Sequence, residues 1–217
     1  ISARLSLAFA SLLLLLLIVG IAGIISMKTV TPLTKSIYVD CTVPLQQLGQ
    51  IDATYYRLRV DVLKAILAED ADEQAQLEQR GNPMIDSIGV WFAAFRPTML
   101  NETERQIADD YEQAAPQYLS ARKRVFEMVR NGQRAEALAL ANGEARDKFH
   151  VMINHLDQLI GIQSANAKAL NATADQTSNF TTILLYSMLG IAILLGIILA
   201  RVIGKSINEP ITVLEGA

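Results

Sequence analysis

In the stretch TYYRLRVDVLKAILAED, residues 54–70, three cations, Arg57, Arg59 and Lys64, interrupt a pattern of apolar residues at helical spacing. Cationic side chains gathered on one helix suit an anion, because hydrogen bonds from charged donors to carboxylate are the strong ones. Leu48, Ile51, Tyr55, Leu58, Val62 and Ala65 form an apolar stripe fit for a bundle core. Nearly opposite runs another, Gly49, Ala53, Tyr56, Val60, Leu63 and Leu67, and a helix with two apolar faces needs two partners. The second stripe reads as the a and d positions of a seam with the same helix of a second copy; the alternative is a further helix of its own bundle. In a parallel seam Asp52 and Arg59 take g positions, Arg57 and Lys64 take e, and Arg59 faces the second copy's Lys64. Like charges about 7 Å apart at an effective dielectric near 20 repel by roughly 2 kcal/mol, which a small dianion between the copies would relieve. The alternative is that all three cations are solvated surface groups.

Further candidates lie on later segments. Tyr118 continues the apolar stripe of Ile107, Tyr111 and Val125, and Arg122 extends it by a turn, where an arginine needs a partner. Arg146, His150 and Asn154 form a polar strip beside Phe149, Ile153, Leu156 and Ile160, placed to close a pocket at the height of Arg57. His150 and His155 are five apart and do not share a helix face, so no metal site is expected. With no glycine-rich phosphate loop, no nucleophile beside a base and no paired carboxylates in a cleft, neither catalysis nor a cofactor is expected.

These residues must be positioned by helices, since no alternating strand pattern occurs. The first outer helix runs past Pro32 and Pro44, which should kink or interrupt it, to about Asp70. A second covers DEQAQLEQR, breaks at GNP and resumes from Met84 to Phe95. Asn101, with Glu104 three residues on, caps a third that runs to Val129 and stops at Asn131-Gly132. A short helix, residues 134–141, precedes a fourth beginning near Glu144. The order up, down, up, down predicts an all-α, antiparallel four-helix bundle.

The chain has 217 residues, of which 51% are hydrophobic, and much of the excess sits in two uncharged blocks, residues 5–25 and 181–200. Each is close to the ~20 residues that cross a bilayer as helix. The first is longer than a cleavable leader's apolar run and lacks a small-residue cleavage site. Arg4 before it, and Arg201 and Lys205 after the second, place both ends in the cytoplasm. The domains follow: a transmembrane helix at 4–26, an outer sensor domain at 27–180, a second transmembrane helix at 181–200, and a cytoplasmic segment at 201–217. A net charge of −3 argues against nucleic acid. Cys41 is the single cysteine, which excludes an intrachain disulfide and reads as a small buried hydrophobe.

RVIGKSINEPITVL, residues 201–214, sets Pro210 near the start of an amphipathic segment. It resembles the opening of a HAMP linker, and with two anchors around a helical outer domain the chain resembles the sensory half of a methyl-accepting chemotaxis receptor. The resemblance implies a homodimer in the bacterial inner membrane, with a periplasmic sensor and output to cytoplasmic signalling proteins through a methylated part past Ala217. It implies binding of a small carboxylate at the dimer interface and maps that role to Arg57 and Arg59, with Lys64 where an arginine is more typical. Lysine lacks the bidentate fork, and the polar contributions the family places at the start of the last helix are not recognisable, so a plain organic acid is expected. Two alternatives stay open: the input module of a sensor histidine kinase, and a sensor that binds a partner protein.

Overall fold

The structure, a computed structural model, describes residues 2–99 and 101–214; the side chains of residues 2–5, 7, 8, 12 and 202–214 lie outside that description. Among the described residues there are six α-helices: α1 (Ser2–Ser36), α2 (Val43–Leu67), α3 (Ala71–Phe95), α4 (Glu102–Arg130), α5 (Arg134–Asn142) and α6 (Glu144–Leu214). No strand occurs among the described residues. Two compact units result, one of Ser36–Ala169, the other of Ile1–Lys35 with Leu170–Ala217. The first is the antiparallel four-helix bundle, made of α2, α3, α4 and the beginning of α6, with α5 as a short cap.

Local chemistry sets most of the helix ends. The Asp70 side chain accepts from the Asp72 amide at 3.0 Å, and that of Asn101 from the Glu104 amide at 2.9 Å, each satisfying an orphan donor. At the end of α4, Gly132 adopts φ +73°. Its amide bonds Val129 O at 3.0 Å and that of Gln133 bonds Met128 O at 2.9 Å, the paired bonds that close a helix on a left-handed residue.

The prolines follow the sequence expectation at Pro44 and depart from it at Pro32 and Pro83. Pro32 lies inside α1 without ending it. Pro44 falls in the first turn of α2, where a missing donor is harmless, and the irregularity precedes it as a π-helical turn, Ile37–Thr42. There the Val43 amide reaches Tyr38 O, five residues back, which widens the turn before the proline ring. The expected break at Gly81-Asn82-Pro83 is absent, and α3 runs through it. Buried Leu77 and Ile88 hold the helix on either side, Arg80 pairs with Asp61 of α2, and Gly81 faces Arg122 of α4. Packing outweighs the ~3 kcal/mol helix penalty of one proline.

Two apolar clusters fill the bundle. One joins Tyr55 and Leu58 of α2, Phe92 and Phe95 of α3, Tyr111 and Tyr118 of α4, and Phe149 and Leu156 of α6. The other joins Val62 and Ile66 of α2, Leu77 of α3, Phe126 and Val129 of α4, Ala137 of α5 and Ala145 of α6. All six residues of the first α2 stripe are buried, as the periodicity predicts. Cys41 is fully buried, its thiol pushed up first by desolvation and then by the charges of Asp40 and Glu104.

In the other unit, α1 and α6 contain the two apolar blocks, each long and apolar enough to cross a membrane. Their large side chains, Leu13, Leu16, Ile24, Ile183 and Ile198 among them, are exposed, as lipid-facing residues are. The helix α6 includes Pro210 and ends at Leu214; the side chains and last residues of the HAMP-like stretch lie outside the described residues.

Candidate functional site

Helix geometry sorts the predicted cations. Arg57 and Lys64 are seven residues apart and share a face, whereas Arg59 is displaced by two residues and points to the opposite side. Arg57 and Lys64 accordingly line one crevice of 390 Å³ toward α3, together with Tyr56, Val60, Asp61, Arg80 and Met84. Neither makes an ion pair among the described residues. Arg80 grips the buried Asp61 through two guanidinium nitrogens, and that pair raises the Arg80 pKa. Three cations stand against one carboxylate, so the crevice carries a surplus of two positive charges.

The second stripe of α2 borders this crevice. Gly49 and Ala53 are exposed, Tyr56 is 48% and Val60 46% exposed, and Leu67 is 77% exposed. Leu63 packs against the core and the Tyr56 ring meets Phe149 of α6 edge-on at 5.1 Å, so the stripe is taken up in part by its own bundle and left open at Gly49, Ala53, Val60 and Leu67. Asp52, expected beside Arg57 of a second copy, is half-buried near Asp157; burial, then that like charge, raises its carboxyl pKa.

Arg59 is separate from Lys64. Its guanidinium carbon lies 4.9 Å from the centre of the Phe149 ring. It shares a small cavity with Tyr118 and Arg122. Tyr118 is 2% and Arg122 5% exposed. The Tyr118 hydroxyl and the Nε and Nη2 atoms of Arg122 have no hydrogen-bond partner among the described residues. Burial lowers the Arg122 pKa and raises that of Tyr118, whose phenolate the two nearby arginines would favour. Arg122 also stands 4.7 Å over the Phe126 ring, between the two apolar clusters. Arg146 and His150 are exposed on α6; Arg146 pairs with its neighbour Asp147 at 3.0 Å, and neither residue lines these cavities. The seven predicted residues thus fall into an α2–α3 crevice, an interior arginine–tyrosine pocket and a surface strip.

Sequence reasoning missed Asp61 and Arg80, although an acid wedged between Leu58 and Val62 on a core stripe was a signal. It also missed a 640 Å³ cleft between α3 and α4, bounded by Ile88, Phe92, Tyr111 and Pro116. At its floor the hydroxyls of Tyr55 and Tyr111 bond each other at 3.0 Å. Glu104, fully buried, accepts from Asn166 of α6 at 3.0 Å.

A four-helix bundle carried in a chain with two exposed helices long and apolar enough to cross a membrane suits the sensory module of a membrane-anchored receptor. Over residues 1–178 the chain matches the family model described as a four helix bundle sensory module for signal transduction, and it belongs to that family. The match takes in the first apolar block and the entire bundle. No curated protein matches the chain.

Proposed function

We propose that this chain is the sensory half of a transmembrane chemoreceptor that detects a small organic acid anion in the periplasm, at the interface of a homodimer in the inner membrane. The observation that carries the reading is the crevice of Arg57 and Lys64, two cations without an ion pair among the described residues, beside an apolar stripe that is partly exposed. A surplus of two positive charges suits a dicarboxylate, and burying Tyr56 and Val60 against a second copy would remove water from the crevice and strengthen each charge-assisted bond. The ligand bridges two copies, so binding changes how the α2 helices meet. Helix α6 carries that change toward a HAMP linker and a methylated output part. Shifts of packed helices between discrete arrangements are a known form of such switching.

The test is thermal unfolding of the purified receptor across a panel of mono-, di- and tricarboxylates. A ligand at 100 times its dissociation constant adds about 2.7 kcal/mol of stability. Arg57→Ala and Lys64→Ala should each weaken the response, and both should abolish it. A panel without any stabilising carboxylate, or full response in the double variant, refutes the proposal.

A further inference from the structure

We infer that the cleft between α3 and α4 is a second ligand site, which takes one uncharged aromatic molecule of one or two rings carrying a hydroxyl or amine donor. It shares no lining residue with the crevice of Arg57 and Lys64. Small side chains open it. Gly89 and Ala93 line it from α3, Ala115 and Pro116 from α4, and a Cβ added at Gly89 would meet no atom within 4 Å. Arg96 ties the two helices together at one end through Asp109 and Glu112, and Gly81 meets Arg122 toward the other. The cleft's 640 Å³ is within the ~300–1,000 Å³ of small-molecule sites.

The walls choose the body of the ligand. Ile85, Ile88 and Leu119 are aliphatic, and the Phe92 and Tyr111 rings, with centroids 4.4 Å apart and planes at 41°, offer a face on which a further ring can stack. Charge chooses its ionisation. Arg96 and Glu112, the charged residues of the lining, pair with each other at 3.2 Å. Burial raises the pKa of Tyr55 and of Tyr111, so both phenols at the floor are neutral. An ion entering here would lose water without gaining a counter-charge.

The polar group follows from the prolines. In an α-helix the carbonyl of one residue points along the axis to the amide four residues on. Pro116 is inside α4 and has no amide hydrogen, so the Glu112 carbonyl lacks that donor. Glu112 and Pro116 both line the cleft, which puts this carbonyl between two lining residues. Ala93 and Pro97 repeat the arrangement at the end of α3. The mutual bond of Tyr55 and Tyr111 consumes one of their two hydroxyl hydrogens. Backbone acceptors without a helical donor favour a guest that donates, and a hydroxyl or N–H on the ring supplies the bond.

The experiment uses the whole receptor chain in lipid nanodiscs and equilibrium dialysis against 2-naphthol, with uptake by empty nanodiscs subtracted. One saturable site per chain is expected. 2-Methoxynaphthalene, which keeps the rings and lacks the donor, should bind about tenfold more weakly, and excess 2-naphthoate should not displace 2-naphthol. Gly89→Leu fills the cleft with a side chain that favours helix and should abolish binding. Pro116→Ala gives α4 an amide that takes up the Glu112 carbonyl. It should weaken 2-naphthol about tenfold and leave 2-methoxynaphthalene unchanged, a split that altered packing alone does not produce. Arg57→Ala/Lys64→Ala should bind 2-naphthol as wild type does, which separates this site from the carboxylate crevice. Should Gly89→Leu fail to fold, Pro116→Ala decides. Absence of saturable uptake, the outcome if a second copy or a partner's helix covers the cleft, overturns the inference. Displacement by 2-naphthoate, full binding in Gly89→Leu, or equal effects of Pro116→Ala on both probes overturns it as well.

Discussion

Replacing Gly81 by alanine tests how α3 and α4 meet. Gly81 lies inside α3, where alanine is favoured over glycine by about 1 kcal/mol. A Cβ at this position would stand 2.2 Å from Nη2 and 2.9 Å from Cζ of Arg122. Ordinary contact is about 3.5 Å, so the guanidinium must retreat by more than ~1 Å. Retreat gives up the stacking on Phe126, about 1 kcal/mol, and forces a buried side chain off its rotamer for about 1 kcal/mol more. The sum makes Gly81→Ala destabilising by about 1 kcal/mol, whereas in an Arg122→Ala background the same change stabilises by about 1 kcal/mol, a coupling near 2 kcal/mol. Gly89, on the same helix with no atom within 4 Å of an added Cβ, is the control and should gain about 1 kcal/mol. Unfolding of the solubilised receptor, followed by circular dichroism in denaturant, measures all of these. Gly81→Ala as stabilising as Gly89→Ala, or a coupling below about 0.5 kcal/mol, would refute the packing argument.

Two further outcomes follow from buried polar groups. Tyr55→Phe leaves the Tyr111 hydroxyl buried and unpaired, at about 1–3 kcal/mol, while the Tyr55→Phe/Tyr111→Phe pair removes both ends of the bond and should be closer to wild type in the same unfolding assay. Asp52 has its folded pKa raised above the unfolded value of 3.8 by burial and by Asp157. Its favourable contribution is therefore complete below pH 3.8 and lost as pH rises through the folded pKa. Asp52→Asn should then be the more stable form at pH 7 by about 0.5 kcal/mol, small because the side chain is half-exposed and screened, with the advantage vanishing toward pH 3. Urea midpoints measured between pH 3 and 7 check the sign.

What depends on neighbours in the chain was legible without coordinates. The apolar blocks, the core stripes of α2 and α6, the Asn101 cap and the Asn131-Gly132 stop are short-range consequences of spacing, side-chain length and backbone freedom. The second apolar stripe of α2 was legible for the same reason, since three-four spacing alone puts Tyr56, Val60 and Leu63 on one side, while its partial exposure was not. Spacing also separates Arg59 from Arg57 and Lys64, but which neighbour each meets is a matter of helix packing. Tertiary structure decided that Arg59 turns inward over Phe149, that Asp61 holds Arg80, and that α3 continues through Gly81-Asn82-Pro83. Local propensity favoured a break there. It lost because Leu77 and Ile88 anchor α3 on both sides, and because the missing Cβ of Gly81 admits an arginine that lies 41 residues further along the chain, on a different helix.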